Sequence, residues 1–256
     1  MTPTSRARPS PARRRRRLAQ AAGGRAATAL GAALGWMLGA AGAQACSVAL
    51  VLAIDVSSSV DSYEYQLQSS GMASAFRDPQ VVDAIVGGGG AMVSVVFWSG
   101  YPHQETRADW TLLQTEDEVA SFAAELDGMG RTYAQFPTAL GRAMQYIETI
   151  WSPETELCGR RVVDISGDGV NNSGPPTTSA RRRLTERGIT VNALVIEGEW
   201  PDPVAFYREN VIGGPGSFIE IARGYEDYAR AFRKKLLREI QPLSAMELRQ
   251  WAQTMR

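Results

Sequence analysis

Asp55-Val56-Ser57-Ser58-Ser59 places one carboxylate and two hydroxyls at alternate positions, and Gly167-Asp168-Gly169 supplies a second carboxylate far along the chain. Carboxylates and hydroxyls are hard oxygen donors, a set that suits Mg²⁺, with Mn²⁺ and Ca²⁺ as alternatives. One histidine and two cysteines in 256 residues are too few for a soft-ligand metal. The chemistry these residues offer is therefore the holding of a divalent cation.

Hydrophobic periodicity shows which elements must position them. Continuous apolar runs at 47–54, 92–98, 161–166, 189–196 and 217–222 read as strands buried on both faces. Helical patterns lie between them at 62–76, 115–126, 138–150, 178–187 and 225–240. Thr115-x-x-Glu118 is a capping box, and Gly188 closes the helix at 178–187. The stretch 104–113 reads as an extra strand, antiparallel to its neighbour across a turn at 99–103. Strands alternating with helices require right-handed crossovers and a mostly parallel sheet covered on both sides. The predicted class is thus an α/β doubly wound, Rossmann-like domain. No repeat or long linker interrupts it, so one domain is expected over 46–241, with a C-terminal tail at 242–256. In such sheets ligands sit at the carboxyl ends of the strands, where strand order reverses. Asp55 and Asp168 each follow a strand and belong on that rim.

With these residues in place, the chain resembles the von Willebrand factor A domain, whose metal-ion-dependent adhesion site combines Asp-x-Ser-x-Ser after the first strand, a Thr from a middle loop and an Asp after the fourth. Asp55, Ser57, Ser59 and Asp168 match. The continuation Thr138-Ala-Leu-Gly-Arg-Ala-Met144 matches the loop that carries the Thr, with Thr132 as the reserve, although Phe136-Pro137 stands where that family presents two glycines. The resemblance implies that Ser57 and Ser59 contact the ion directly. It also implies that Asp55 and Asp168 hold it partly through water, and that Thr138 enters or leaves with conformational state. One coordination position stays open for an acidic side chain of a protein partner. The same hydroxyls have an alternative use as helix caps, since Ser59 and Ser62 precede one helix and Thr138 begins another. The chain is more closely similar to a family of bacterial exported proteins with this fold, a domain of unknown function, through the stretches 50–61, 163–172, 207–217 and 232–239. That resemblance implies a metal-binding domain and brings no known activity with it.

Enzyme readings are weaker. Gly167-Asp-Gly-Val-Asn-Asn172 is similar to a loop of haloacid-dehalogenase-like phosphatases, but these need a second acid two residues after the nucleophilic aspartate, and Ser57 stands there. A serine hydrolase lacks its Gly-x-Ser-x-Gly elbow, and the sole histidine, His103, lies in a Tyr-Pro-His-Gln turn that reads as an exposed loop. Gly87-Gly-Gly-Gly90 lacks the Lys-Ser/Thr of a phosphate loop and reads as a flexible link. Arg181-Arg-Arg183 and the residues Arg233, Lys234, Lys235 and Arg238 read as solvated helix faces rather than a nucleic-acid site. A non-catalytic binding domain is therefore expected, with the phosphatase and a domain that metal merely stabilises as alternatives.

The formal net charge of zero hides two unlike pieces. Residues 1–45 hold eight arginines and no acid, leaving 19 bases against all 27 acids for the remainder. Arg13 to Arg17, the uncharged run 26–43 and Ala43-Gln44-Ala45 form the pattern of a secretory signal peptide cleaved after Ala45. The expectation is export to the periplasm or outside the cell, with no membrane span after cleavage. A permanent anchor, or a lipoprotein acylated at Cys46, are the other readings. An acidic body disfavours nucleic acid and would repel an acidic partner unless a rim cation intervened. Cys46 lies nine residues before Asp55, and Cys158 ten before Asp168. If the aspartates share the upper rim of neighbouring parallel strands, the cysteines meet at the lower rim, within disulfide reach. Export supplies the oxidising compartment, so a Cys46–Cys158 bridge is expected.

Overall fold

The computed structural model describes residues 45–241. The segment read as a signal peptide, up to residue 44, and the tail 242–256 lie outside the described residues. Six strands form one sheet: β1 (Val48–Asp55), β2 (Ala91–Trp98), β3 (Gln104–Leu113), β4 (Arg161–Gly167), β5 (Ile189–Ile196) and β6 (Ile219–Ala222). Their spatial order is β3-β2-β1-β4-β5-β6. Only β3 runs antiparallel, paired with β2, as the sequence pattern predicts. Strand order reverses between β1 and β4, so the crevice of this doubly wound sheet opens at the ends that carry Asp55 and Gly167.

The continuous apolar strands arise because both faces are covered. Along β1, Leu50, Leu52 and Ile54 enter one core, while Val51 and Ala53 enter the other. The first core packs against α1 (Ser62–Phe76), α2 (Pro79–Gly87), α3 (Glu116–Gly128) and α7 (Tyr228–Ile240). The second packs against α4 (Leu140–Ile147), α5 (Thr177–Glu186) and α6 (Pro203–Asn210). Among the described residues, no helix is long and apolar enough to cross a membrane.

Two helices, α2 and α6, were not expected from periodicity. Each is short and buries few residues, Val81 and Ile85 in α2 and Pro203, Val204 and Tyr207 in α6, too few for a 3.6-residue pattern to show. Both begin with Asp-Pro: Asp78 and Asp202 accept from the backbone N–H two residues on, and Pro79 and Pro203 take the first helical position. That pairing is the start signal for such short helices.

Two further expectations are corrected. His103 is half-buried, stacked on Tyr133 and in tilted contact with Phe136, with ring centroids 4.6 and 3.7 Å away, because aromatic neighbours from the 129–137 loop cover the turn. The 181–183 cluster lies on an accessible face as expected, and there Arg183 grips the Glu148 carboxylate through two hydrogen bonds of 2.7 and 2.9 Å. On α7, Lys235 is fully buried rather than solvated, and Arg233 pairs with Asp78 at 2.6 Å.

Candidate metal centre

The β1–α1 loop is shaped by its own polar groups. Asp55 ends β1 completely buried, and its Oδ1 accepts the Ser57 backbone N–H at 2.8 Å, which turns the chain at once. Arg131 closes the loop from outside: one guanidinium nitrogen donates to the carbonyls of Val56 at 3.2 Å, Ser57 at 2.8 Å and Val60. The helix that follows is capped by Asp61, which exchanges hydrogen bonds of 2.8 and 2.7 Å with Glu64. Neither Ser59 nor Ser62 serves as the cap, and α4, with Ala139 in its cap position, has no side-chain cap. The hydroxyls of Ser57, Ser59 and Thr138 therefore remain at the rim.

There they converge. Ser57 Oγ lies 3.3 Å from Ser59 Oγ and 3.4 Å from Thr138 Oγ1. Ser59 donates to Asp168 Oδ1 at 2.8 Å, and Tyr225 donates to Asp168 Oδ2 at 2.8 Å. Thr132, the reserve candidate, is engaged instead with Glu105 at 3.4 Å. Phe136-Pro137, which replaces the expected glycines, is accommodated by Gly100, where a Cβ would come within 2.8 Å of Pro137 and 2.9 Å of Phe136. The Phe136 carbonyl accepts the Ser58 N–H at 2.9 Å, joining this loop to the Asp-x-Ser-x-Ser turn.

Asn171 and Asn172, which in sequence belong to the phosphatase-like loop and to the 163–172 stretch of family likeness without a role of their own, tie the third segment in. Asn172 Oδ1 accepts the Thr138 N–H at 2.9 Å, and Asn171 Oδ1 accepts the Gly141 N–H at 3.0 Å. A side chain at Gly141 would collide with the Pro175 carbonyl, so this glycine lets the loop after β4 lie against α4. Sequence reasoning missed Arg131, Asn171, Asn172 and Tyr225, none of which belongs to the Asp-x-Ser-x-Ser string.

Electrostatically the site is short of positive charge. Burial, and secondly the Asp168 carboxylate, raise the Asp55 carboxyl well above the usual range, while Arg131 and the Ser57 hydrogen bonds oppose the rise. Asp55 Oδ2 is buried and has no hydrogen-bond partner. Burial, with Asp55 and Asp168 adding to it, also pushes the Tyr207 phenol far up, so it stays protonated. Among the described residues there is no group of three His, Cys, Asp or Glu side chains fit to hold a metal. What the rim offers is two carboxylates and three hydroxyls. An octahedral Mg²⁺ site with bonds of about 2.1 Å sets neighbouring oxygens roughly 3 Å apart. The hydroxyl spacings of 3.3 and 3.4 Å are near that requirement.

The family model described as "Protein of unknown function (DUF1194)" matches residues 45–244. The chain belongs to this family. No match is found among curated proteins. Solved structures share the fold. Proximal thread matrix protein 1 from the mussel byssus is 16% identical with a TM-score of 0.59, the match covering 76% of this chain and 48% of that one. A structure of the same protein with a zinc-occupied MIDAS motif, the metal-ion-dependent adhesion site, is 15% identical with a TM-score of 0.57, covering 75% and 45%. A von Willebrand factor type A protein from Catenulispora acidiphila is 19% identical with a TM-score of 0.56, covering 76% and 43%. The pilus adhesin SpaC from Lactobacillus rhamnosus GG is 14% identical with a TM-score of 0.56, covering 76% and 30%. The chain thus spans less than half the length of each of these proteins. At such identities the likeness is one of fold, and this member of the family has a von Willebrand A-like fold.

Proposed function

We propose that this chain is an exported, non-catalytic domain that binds a divalent cation at Asp55, Ser57, Ser59, Thr138 and Asp168 and uses it to engage a protein partner. The observation that carries the reading is the convergence of the Ser57, Ser59, Thr138 and Asp168 side chains beside the fully buried Asp55 carboxylate. A buried anion without a compensating charge is costly, and a bound cation supplies the compensation. The zinc-occupied site of the mussel protein and the adhesin fold of SpaC support the same reading by analogy. When bound, the ion supplies a Lewis-acidic position open to an exogenous carboxylate. The hydroxyls of Ser57, Ser59 and Thr138 present oxygen toward it, Asp168 orients Ser59, and Tyr225 orients Asp168. An acidic partner residue is the matching ligand, since the cation offsets the repulsion of the acids around it.

Calorimetric titration of Mg²⁺ and Mn²⁺ into wild type and Asp55→Ala tests the metal assignment. Saturable heat in wild type, absent in the variant, is expected. Equal heats, or none from either protein, would refute it. Metal-dependent capture of a partner from the cell envelope, lost in Asp55→Ala, separates an adhesive role from a purely stabilising ion.

A further inference from the structure

Behind the rim, two buried polar atoms without hydrogen-bond partners, Asp55 Oδ2 and the Tyr207 hydroxyl, lie beside Gly167, together with the ring of Trp98, whose Nε1 is likewise unpartnered. All three residues are completely buried. The position that a Cβ on Gly167 would take lies 2.5 Å from the Tyr207 hydroxyl oxygen, 3.2 Å from Asp55 Oδ2 and 3.3 Å from Trp98 Cζ2. Glycine at the end of β4 thus lets a tyrosine from α6 reach past the strand toward the inner face of Asp55.

A phenol hydroxyl both donates and accepts, whereas an ionised carboxylate only accepts. Asp55 Oδ1 is already satisfied by the Ser57 N–H. The inner oxygen is left to a neighbouring donor that has no partner of its own, and the Tyr207 hydroxyl is one, beside the Trp98 indole N–H. We propose that Tyr207 is a positioning residue for the metal centre: its hydroxyl holds the inner oxygen of Asp55 when that carboxylate serves the cation, and so couples α6 to the site. This rests on the metal-binding reading above. Groups that orient a ligand from behind change metal affinity about 10- to 100-fold when removed, without touching the ion.

Mn²⁺ titrated calorimetrically into the full chain tests the assignment, with wild type, Tyr207→Phe and Val204→Ala compared and melting temperatures taken without metal. Val204 lies on α6 and packs in the same core, so its truncation loosens the helix and spares the hydroxyl. Tyr207→Phe is expected to weaken Mn²⁺ binding about tenfold or more, with a metal-free melting temperature no lower than wild type, because the hydroxyl removed has no partner there. Val204→Ala is expected to melt earlier and bind Mn²⁺ as wild type does. Unchanged affinity in Tyr207→Phe overturns the proposal, and so does an equal loss in both variants, which would trace the effect to helix packing. Absence of binding in wild type would instead sink the metal reading itself.

Discussion

Ser57 Oγ sits between the Ser59 and Thr138 hydroxyls at 3.3 and 3.4 Å, distances at which hydroxyl hydrogen bonds are weak. Its removal therefore costs folding little, while it takes a direct ligand from the centre of the proposed site. Ser57→Ala is expected to change the metal-free unfolding free energy by less than about 1 kcal/mol and to abolish Mn²⁺ binding. Urea denaturation with and without Mn²⁺ checks both halves: the wild-type midpoint shifts upward with the metal, and that of the variant stays put. A variant that is strongly destabilised without metal would assign Ser57 to the fold instead. At this scale Asp55, Ser57, Ser59 and Asp168 were legible because strand ends place them. Their supports were not. Arg131 acts through carbonyls, and Asn172 through a backbone N–H 34 residues away, interactions that residue type alone does not announce.

Helix α7 is fastened to the sheet by charge as well as by apolar packing. Lys235 is fully buried, with its ammonium 2.7 Å from Asp164 of β4 and in contact with Glu239 one turn on. Asn192 of β5 donates to Glu239 at 2.8 Å and accepts the Phe218 N–H at 3.1 Å, and the Phe218 ring lies 5.3 Å from the ammonium. Two carboxylates thus share one cation. Burial, then the charge of Glu239, raise the Asp164 carboxyl to about 7, against the pull of Lys235. The folded state therefore keeps a proton that the unfolded chain releases near its ordinary value of 3.8. This contribution to stability is full below that value and is lost as pH rises through about 7. Asp164→Asn, which preserves the Lys235–Glu239 pair, is expected to flatten the fall in stability between pH 5 and pH 8, read from denaturant midpoints. Lys235→Met leaves two buried acids without a cation and is expected to cost about 3–5 kcal/mol at neutral pH. Equal pH slopes in wild type and Asp164→Asn would remove the titrating group from this cluster. The sequence held the clue that the charge run concealed: position 235 falls three after Phe232 and four before Glu239, on the buried stripe of the helix. An acid in mid-strand at Asp164 calls for such a partner.

Across the whole molecule, the strands, their direction and the antiparallel edge could be read because a sheet buried on both faces writes long apolar runs. Helices α2 and α6 could not, since tertiary packing rather than periodicity sustains them, and with α6 unread the reach of Tyr207 stayed hidden. The bridge between Cys46 and Cys158 follows from register. Ala49 pairs with Arg161 in the parallel β1–β4 ladder, and the same offset brings Cys46 opposite Cys158, where the two form a disulfide with Cα atoms 4.5 Å apart. It lies at the opposite end of the sheet from Asp55, roughly 30 Å away at about 3.3 Å per residue. A crosslink spanning 112 residues acts mainly by restricting the unfolded chain, worth up to about 4–5 kcal/mol in the chain-entropy model. Sites so far apart and without shared partners behave additively. The double variant Cys46→Ser/Cys158→Ser is therefore expected to unfold at a distinctly lower denaturant concentration, yet to bind Mn²⁺ with wild-type affinity while folded. Intact mass of the wild-type protein should rise by two hydrogens on reduction. No such rise would dismiss the bridge and return Cys46 to the lipoprotein reading. A double variant that stays folded but loses Mn²⁺ affinity would show instead that the two ends of the sheet are coupled, with the rim depending on the crosslink for more than the stability of the fold.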